Sequence, residues 1–250
     1  MKVYRLFRRE LGSYLASPAF YGVLTIFLLL SGYFFFTDLS FYNTINFKGD
    51  YGPVEGLWSR YFSDLRFVMM LTLPLLTMRL LAEEKKLGTF ELLTSYPLRD
   101  SEILAGKFLA GLAALLLMLA GSLAHFLVWA AFWGTQGLQP LWAGYLGLLL
   151  LGCALLSCGL FISSLTENQA IAGLATLGVF VFFWFLTWNE LMASESVVRV
   201  LVRLSLFDRL QGFFKGVIDT KDVAFFVLFC GLFLYLTLRV METRFWRGQK

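Results

Sequence analysis

The side chains that could bind a metal or act as nucleophiles are few, and each stands apart from the others. Cys153, Cys158 and Cys230 all lie within apolar runs, and His125 is the only histidine. A zinc site needs about four such ligands in one place, and a disulfide framework needs paired cysteines. We therefore predict small buried or lipid-facing cysteines and a histidine that packs between helices, with no metal and no disulfide.

Motifs for nucleotide binding and hydrolysis are also absent. The sequence has no G-x-x-x-x-G-K-[ST] loop, no H-E-x-x-H and no G-x-S-x-G. Its long apolar runs carry no central Asp, Glu, Lys or Arg, which disfavours an ion-coupled transporter or a proton pump. An intramembrane enzyme would need a nucleophile and a base within reach of each other. We expect no catalytic residue and no cofactor bound by this chain, so that energy for any transport must come from a partner.

One short stretch concentrates the ionisable side chains. Residues 81–111 read LAEEKKLGTFELLTSYPLRDSEILAGKFLAG, with apolar runs on both sides. The acidic and basic residues 83–86 extend the preceding helix as a polar turn, Gly88 ends or bends it, and Pro97 stops the short apolar segment that follows. Asp100 then caps a second helix. An apolar ridge between charges suits a cytoplasmic partner, but a solvated loop would have the same residues, and residue types alone leave both interpretations open.

Composition predicts that the other elements lie in a membrane. The 250 residues are 58% hydrophobic and 15% charged, with a mean hydropathy of +0.71, whereas soluble domains have about 25% charged residues. A spanning helix needs about 20 mostly apolar residues. Six runs meet or approach that length, and the second contains Arg79, which must lie near its helix end. We predict a single all-α integral membrane domain over residues 1–250, with spans at about 19–36, 65–82, 108–133, 141–164, 170–188 and 223–240.

The distribution of Lys and Arg predicts the orientation of these spans. With six spans, the basic N-terminus, the basic connection after span two and the basic C-terminal tail all fall on one side, which is the cytoplasm. The net charge of +4 therefore indicates membrane anchors and not nucleic-acid binding. Helical spacing of apolar residues before span one predicts an interfacial amphipathic helix. The connection 190–222 is basic but rich in apolar residues, which predicts short amphipathic or re-entrant helices at the outer surface.

The polar stretch resembles the signature region of ABC-2-type transporter permeases. That signature has two acidic and two basic residues, then G-T-x-E-L-L, a proline and a capped helix ending in G-K, and residues 83–107 match each part. SSLTENQAIAG at 163–173 resembles the second cytoplasmic connection of the family. LFDRLQGFFKGVIDTKDVAFF at 206–226 resembles the outer connection before the last span. The resemblance covers nearly the whole chain and is closest to the gliding-motility branch, whose F subunit pairs with an auxiliary G subunit.

The resemblance implies a six-span permease that dimerises with itself or with a similar subunit and docks a separate cytoplasmic ATPase. A coupling helix between spans two and three would make the main contact, the connection between spans four and five a second one, and short helices before span six an outer lid. The residues that would carry the ATPase contact are Glu83, Glu84, Lys85, Lys86, Gly88, Thr89, Glu91, Leu92, Leu93, Pro97, Glu167 and Asn168.

These observations predict the permease subunit of an ABC transporter that exports a substrate across the bacterial inner membrane, with both termini in the cytoplasm. The expected partners are two copies of the ATPase, which bind ATP and Mg²⁺, a second permease copy or similar subunit, the lipid bilayer, and an auxiliary G-type membrane subunit with a large outer domain. The alternative is a scaffold subunit that transports nothing and belongs to an ATPase-driven envelope or gliding-motility machine. The substrate is not readable from the sequence.

Overall fold

The chain folds into a bundle of α-helices. The computed structural model describes residues 2–46, 52–88, 99–134, 141–188 and 205–243, and these contain no strand. A π-helical turn, Val54–Trp58, leads directly into the third helix. The α-helices, numbered in chain order, are α1 Lys2–Ala16, α2 Pro18–Asn46, α3 Ser59–Thr77, α4 Ala82–Lys86, α5 Asp100–Ser122, α6 Ala124–Trp133, α7 Leu141–Leu165, α8 Gln169–Trp188, α9 Leu210–Phe214 and α10 Thr220–Thr243.

Five segments within the described residues are long and apolar enough to cross a bilayer. They are Pro18–Thr44, Gly56–Lys86, Asp100–Phe132, Leu141–Leu165 and Thr220–Thr243. The prediction of an all-α, multi-pass membrane protein is therefore confirmed for the described part of the chain. The run that contains Arg79 is one of the five, because the π-helical turn and α4 lengthen it at its two ends.

The remaining predicted span, 170–188, corresponds to α8. Its described apolar stretch, Gln169–Phe185, is shorter than the other five, so the six-span topology stays a prediction. Helix α1 occupies the N-terminal segment for which an interfacial helix was predicted, and its place at the membrane surface also stays a prediction. Of the predicted outer helices, α9 is described, and residues 189–204 lie outside the described part.

Two helices differ from the predicted spans. Helix α2 continues past residue 36 to Asn46 and so includes Asp38, which is 2% exposed and pairs with Arg60 at 3.4 Å. The counter-charge from α3 lets a buried carboxylate remain inside the helix. The third span is divided at Leu123 into α5 and α6. There Ser122 Oγ donates to the carbonyl of Leu119 at 2.7 Å, and a serine that bonds the preceding turn in this way commonly bends a helix.

Helix α7 lies at the centre of the bundle, where it packs against α3, α5, α8, α9 and α10. Small residues along α7 let these helices approach closely. A Cβ atom at Gly152 would lie 2.3 Å from Leu115 Cδ2, and a Cβ atom at Gly159 would lie 2.4 Å from Thr77 Oγ1. Small residues at such contacts are typical of membrane helices, since lipid removes the hydrophobic advantage of larger side chains.

The substitution Gly159→Ala is expected to lower the free energy of unfolding by about 1–3 kcal/mol, as overpacking does. Thr77 cannot turn away freely, because its Oγ1 donates to the carbonyl of Leu73 at 3.1 Å. Unfolding by SDS in mild detergent micelles, followed by tryptophan fluorescence, measures the difference. Gly231→Ala in α10 is the matched control, because no neighbouring atom lies within 4 Å of the added carbon. Equal losses of stability in the two variants would contradict the close α3–α7 contact.

Candidate functional site

A turn interrupts the helix between α3 and α4, and a serine of α7 is hydrogen-bonded to the backbone of that turn. Helix α3 ends at Thr77, and the amides of Leu81 and Ala82 donate to Ser163 Oγ at 3.2 and 3.0 Å. Ser163 Oγ also lies 3.4 Å from the carbonyl oxygen of Met78, to which it donates. Because the first N–H groups of a helix have no partner within it, the side chain from α7 caps the start of α4.

The N-terminal helix α1 and its junction with α2 are also hydrogen-bonded to this part of the chain. Tyr14 OH donates to the carbonyl of Leu76 at 3.2 Å. Burial raises the pKa of Tyr14 well above its usual range, so the hydroxyl keeps its proton and remains a donor at neutral pH. Arg79 Nη1 donates to Ser17 Oγ at 3.0 Å, at the junction of α1 and α2. The end of α3 is therefore attached to α1 as well as to α7.

Helix α4 also contacts the C-terminal end of α7, next to the turn between α7 and α8. Lys85 Nζ donates to the carbonyl oxygen of Ser164, and α4 packs against both helices. In that turn Asn168 Oδ1 accepts the amide of Ala170 at 2.9 Å, which caps α8, and Glu167 is exposed. The charged residues after span two and the connection between α7 and α8, two segments that are far apart in sequence, thus adjoin at one end of the bundle.

A buried lysine connects α4 to two more helices. Lys107, in α5, lies 2.8 Å from Glu84 Oε1 and 3.2 Å from Glu10 Oε2 of α1. Its side chain is 1% exposed, whereas the two carboxylate side chains are 14% and 11% exposed. Charges are found in such surroundings when they are paired, because an unpaired charge away from water is costly. One ammonium group thus joins α1, α4 and α5.

Comparison with protein families identifies the class of protein to which this arrangement belongs. The family described as ABC-2 family transporter protein matches residues 5–198. The chain belongs to the ABC-2 family of transporters. A search of curated proteins found none that matches the chain. The resemblance of residues 83–111 to ABC-2 permeases is confirmed at the level of the family, and the chain is a permease component of an ABC transporter.

The part of the ABC-2 permease that was expected to contact the ATPase is only partly described. The residues in and just after α4 lie in the described part; they are Glu83, Glu84, Lys85, Lys86 and Gly88. Glu167 and Asn168 are also described, and they precede α8, a helix that α4 contacts. Gly88 has a φ of +67°, a conformation that glycine adopts readily, and it follows the end of α4. The others lie outside the described residues, and their place in the contact stays a prediction; they are Thr89, Glu91, Leu92, Leu93 and Pro97.

The two acidic residues of the signature are both half-buried, and both line a cavity of about 300 Å³ together with Arg79. Glu84 also pairs with the buried Lys107. Lys86 is exposed. Glu84 and Lys85 therefore hold α4 against α5 and α7, and Lys86 remains accessible.

Sequence reasoning missed Lys107, Glu10 and Ser163 as parts of this site. Lys107 was counted among the basic residues that orient the spans and as the last residue of the family signature, and no buried partner was predicted for it. A usable signal was present in α1, where Glu10 lies one turn after the buried Leu6 and one turn before Tyr14, and so shares their face. An acidic residue on the apolar face of an amphipathic helix predicts a buried basic partner, although it does not identify that partner.

His125 lies outside the site and makes contacts within the bundle. Its Nδ1 lies 2.9 Å from Tyr61 OH and 2.9 Å from the carbonyl oxygen of Ser122, and its ring stacks on Phe35. Within the described residues, no group of three or more His, Cys, Asp or Glu could hold a metal ion. These contacts are those of a side chain that packs between helices.

Proposed function

We propose that this ABC-2 permease component docks a separate cytoplasmic ATPase and transmits the closing motion of that ATPase to its membrane helices. The observation that carries the proposal is the attachment of α4, which is held by Ser163 and Ser164 of α7 and by Lys107 of α5. A segment that two membrane helices hold moves both of them when a partner displaces it. In this proposal ATP and Mg²⁺ bind the partner, and this chain supplies no catalytic residue and binds no cofactor.

The energy for such a motion comes from differential binding. ATP shifts the complex toward one conformation only if it binds that conformation more tightly than the other. Displacement of α4 acts on α7 through Ser163 and through the bond from Lys85 to Ser164, and on α5 through Lys107. Because these helices are closely packed around α7, they shift as rigid bodies instead of deforming continuously.

The proposed complex contains two ATPase copies and two permease subunits, either two copies of this chain or this chain with a similar subunit. It exports a substrate across the bacterial inner membrane, with six spans of which α8 is the fifth, α1 at the cytoplasmic interface, and both termini in the cytoplasm. Large apolar side chains such as Leu29 and Tyr33 on α2 and Leu228 on α10 are exposed, as lipid or a second subunit would require. Assignment to the gliding-motility branch, with an auxiliary G-type subunit, belongs to the same proposal.

Purification tests whether an ATPase is part of the complex. We expect a tagged chain, extracted in mild detergent, to recover a protein with a P-loop in stoichiometric amount. An intact, active complex that lacks such a protein would refute the proposal.

The substitutions Glu91→Arg and Glu167→Arg test which segments make the contact. Each is expected to weaken ATPase docking at least about tenfold, which corresponds to about 1.4 kcal/mol, because a reversed charge at an interface repels the partner. Titration of the purified ATPase against the detergent-solubilised permease measures the dissociation constant. Lys215→Glu is the control, since it reverses an exposed charge next to α9 and far along the chain from both segments. Docking that stays unchanged in either variant would remove that residue from the interface.

A further inference from the structure

Lys107 joins three helices through its ammonium group. Its Nζ lies between Glu10 Oε2 of α1 and Glu84 Oε1 of α4. Its own helix, α5, packs along α1, where Leu6 fits against Gly106 so closely that a Cβ atom at Gly106 would lie 2.8 Å from Leu6 Cδ2. The ion pairs and this close contact involve adjacent residues of α5, Lys107 and Gly106. Together they fix the position of α1 along α5.

Buried ion pairs restrict motion in a way that apolar contacts do not. Leucine and alanine surfaces exchange partners at little cost when helices slide, but a buried ammonium that leaves its carboxylates exposes charge to a medium of low dielectric constant. The pairing of Lys107 with Glu10 and Glu84 therefore keeps the separations of α1, α4 and α5 nearly constant. When one of the three helices moves, the other two must follow it.

We infer that Lys107 is a positioning residue that makes α1, α4 and α5 move as one body when the ATPase acts, so that α1 transmits force in addition to α4. This inference rests on the proposed docking of an ATPase. It assigns Glu84 to the inside of the permease, as the link between the ATPase-contacting segment and α5. It also assigns Glu10 a role in transmission, although Glu10 lies outside the segments that contact the partner.

The substitution Glu10→Gln separates transmission from docking. It removes the charge that pairs α1 with Lys107 and leaves the 2.8 Å pair between Lys107 and Glu84 in place. Docking is measured as the dissociation constant of the ATPase. Transmission is measured on the other side of the membrane, at Val217→Cys, which follows α9 at a position that is 61% exposed. A membrane-impermeant maleimide labels this cysteine, and the measured quantity is the change in labelling rate when ATP is added. The parent for all variants carries Val217→Cys and has Cys153, Cys158 and Cys230 replaced by alanine.

We expect Glu10→Gln to reduce the ATP-dependent change in labelling by roughly 2- to 30-fold, the range in which substitutions within a coupling element act. Docking should remain within about twofold of the parent, since Glu10 is only 9% exposed and Glu84 keeps its pair with Lys107. Arg8→Gln is the matched control, because it removes an exposed charge from the same helix and should alter neither quantity.

A cross-link between α1 and α5 then tests whether rigidity is what the ion pair provides. A Cβ atom added at Gly106 would lie 3.2 Å from Leu6 Cβ. This is close to the Cβ–Cβ separation of about 3.5–4.5 Å in disulfides. Leu6→Cys with Gly106→Cys also removes the side chain that would obstruct the new Cβ atom. In the Glu10→Gln chain, the oxidised pair should restore the ATP-dependent change in labelling, and reduction should abolish it again.

Three results would overturn the inference. The first is a full ATP-dependent change in the Glu10→Gln chain, and the second is a loss that the disulfide does not restore. The third is a loss of docking that matches the loss of labelling change, because Glu10 would then act on the contact itself. If the parent chain binds no ATPase, the proposed function fails, and the inference fails with it; a parent that docks and responds to ATP tests the inference alone.

Discussion

The substitution Lys107→Met is expected to lower the free energy of unfolding by about 3–5 kcal/mol, the cost of breaking a buried ion pair from one side. The variant leaves Glu10 and Glu84 side by side with side chains 11% and 14% exposed and without their shared counter-charge. Methionine fills a similar volume, so lost packing adds little to this cost. SDS unfolding in mild detergent micelles, monitored by tryptophan fluorescence, measures the difference.

Two further variants show whether charge is the cause. Lys86→Met changes the same residue type where it is exposed, and it should shift stability by less than about 0.5 kcal/mol. Adding Glu10→Gln and Glu84→Gln to Lys107→Met removes all three charges and should recover most of the loss, because a buried ionic group can often be replaced by neutral residues at little cost. If Lys107→Met and Lys86→Met were equally stable, the three charges would not be buried together as the structure has them.

The substitution Ser163→Ala is expected to lower the free energy of unfolding by about 1–3 kcal/mol for each buried amide that it leaves without an acceptor. The amides concerned are those of Leu81 and Ala82, which donate to Ser163 Oγ at 3.2 and 3.0 Å. Both should also exchange their hydrogens faster, since the first turn of α4 would open without unfolding the bundle. Hydrogen exchange followed by mass spectrometry of the peptide around residues 78–88 measures this opening.

The neighbouring serine provides the control for that experiment. Ser164 Oγ donates to the carbonyl of Phe161 at 2.6 Å, within its own helix, and it is the backbone carbonyl of Ser164 that accepts from Lys85. Ser164→Ala therefore removes a hydroxyl of the same kind and leaves the attachment of α4 intact. Faster hydrogen exchange in both variants, or in neither, would show that the Ser163 hydroxyl does not protect the amides of Leu81 and Ala82.

The described helices follow largely from length and hydropathy. A chain that is 58% hydrophobic must pair every backbone group internally within a bilayer, which restricts it to helices or closed barrels. Runs such as 141–164 and 223–240 are therefore predictable, and α7 and α10 extend them by only a few residues at their ends. The boundaries of α2 were less predictable, because the buried Asp38 inside this helix has its counter-charge, Arg60, on another helix.

The break at Leu123 and the turn between α3 and α4 were harder to predict for a related reason. Periodicity describes one helix at a time, whereas at both breaks a side chain is hydrogen-bonded to another helix. Ser163 reaches the amides after α3 from a position 82 and 81 residues further along the chain. Ser122 Oγ lies 2.8 Å from Tyr145 OH of α7. A hydrophobicity pattern contains no information about such partners.

The amino-acid sequence alone is enough to predict a multi-pass α-helical membrane protein whose charged segment after span two resembles that of ABC-2 permeases. These conclusions follow from local features, namely the length of apolar runs and the spacing of a short motif. The pairing of Glu84 with Lys107, and of Glu10 with the same ammonium group, is visible only in the folded bundle. Glu10 and Lys107 are 97 residues apart in the sequence, so no local pattern relates them. They pair because the packed bundle buries both side chains, and a buried charge without a partner is costly.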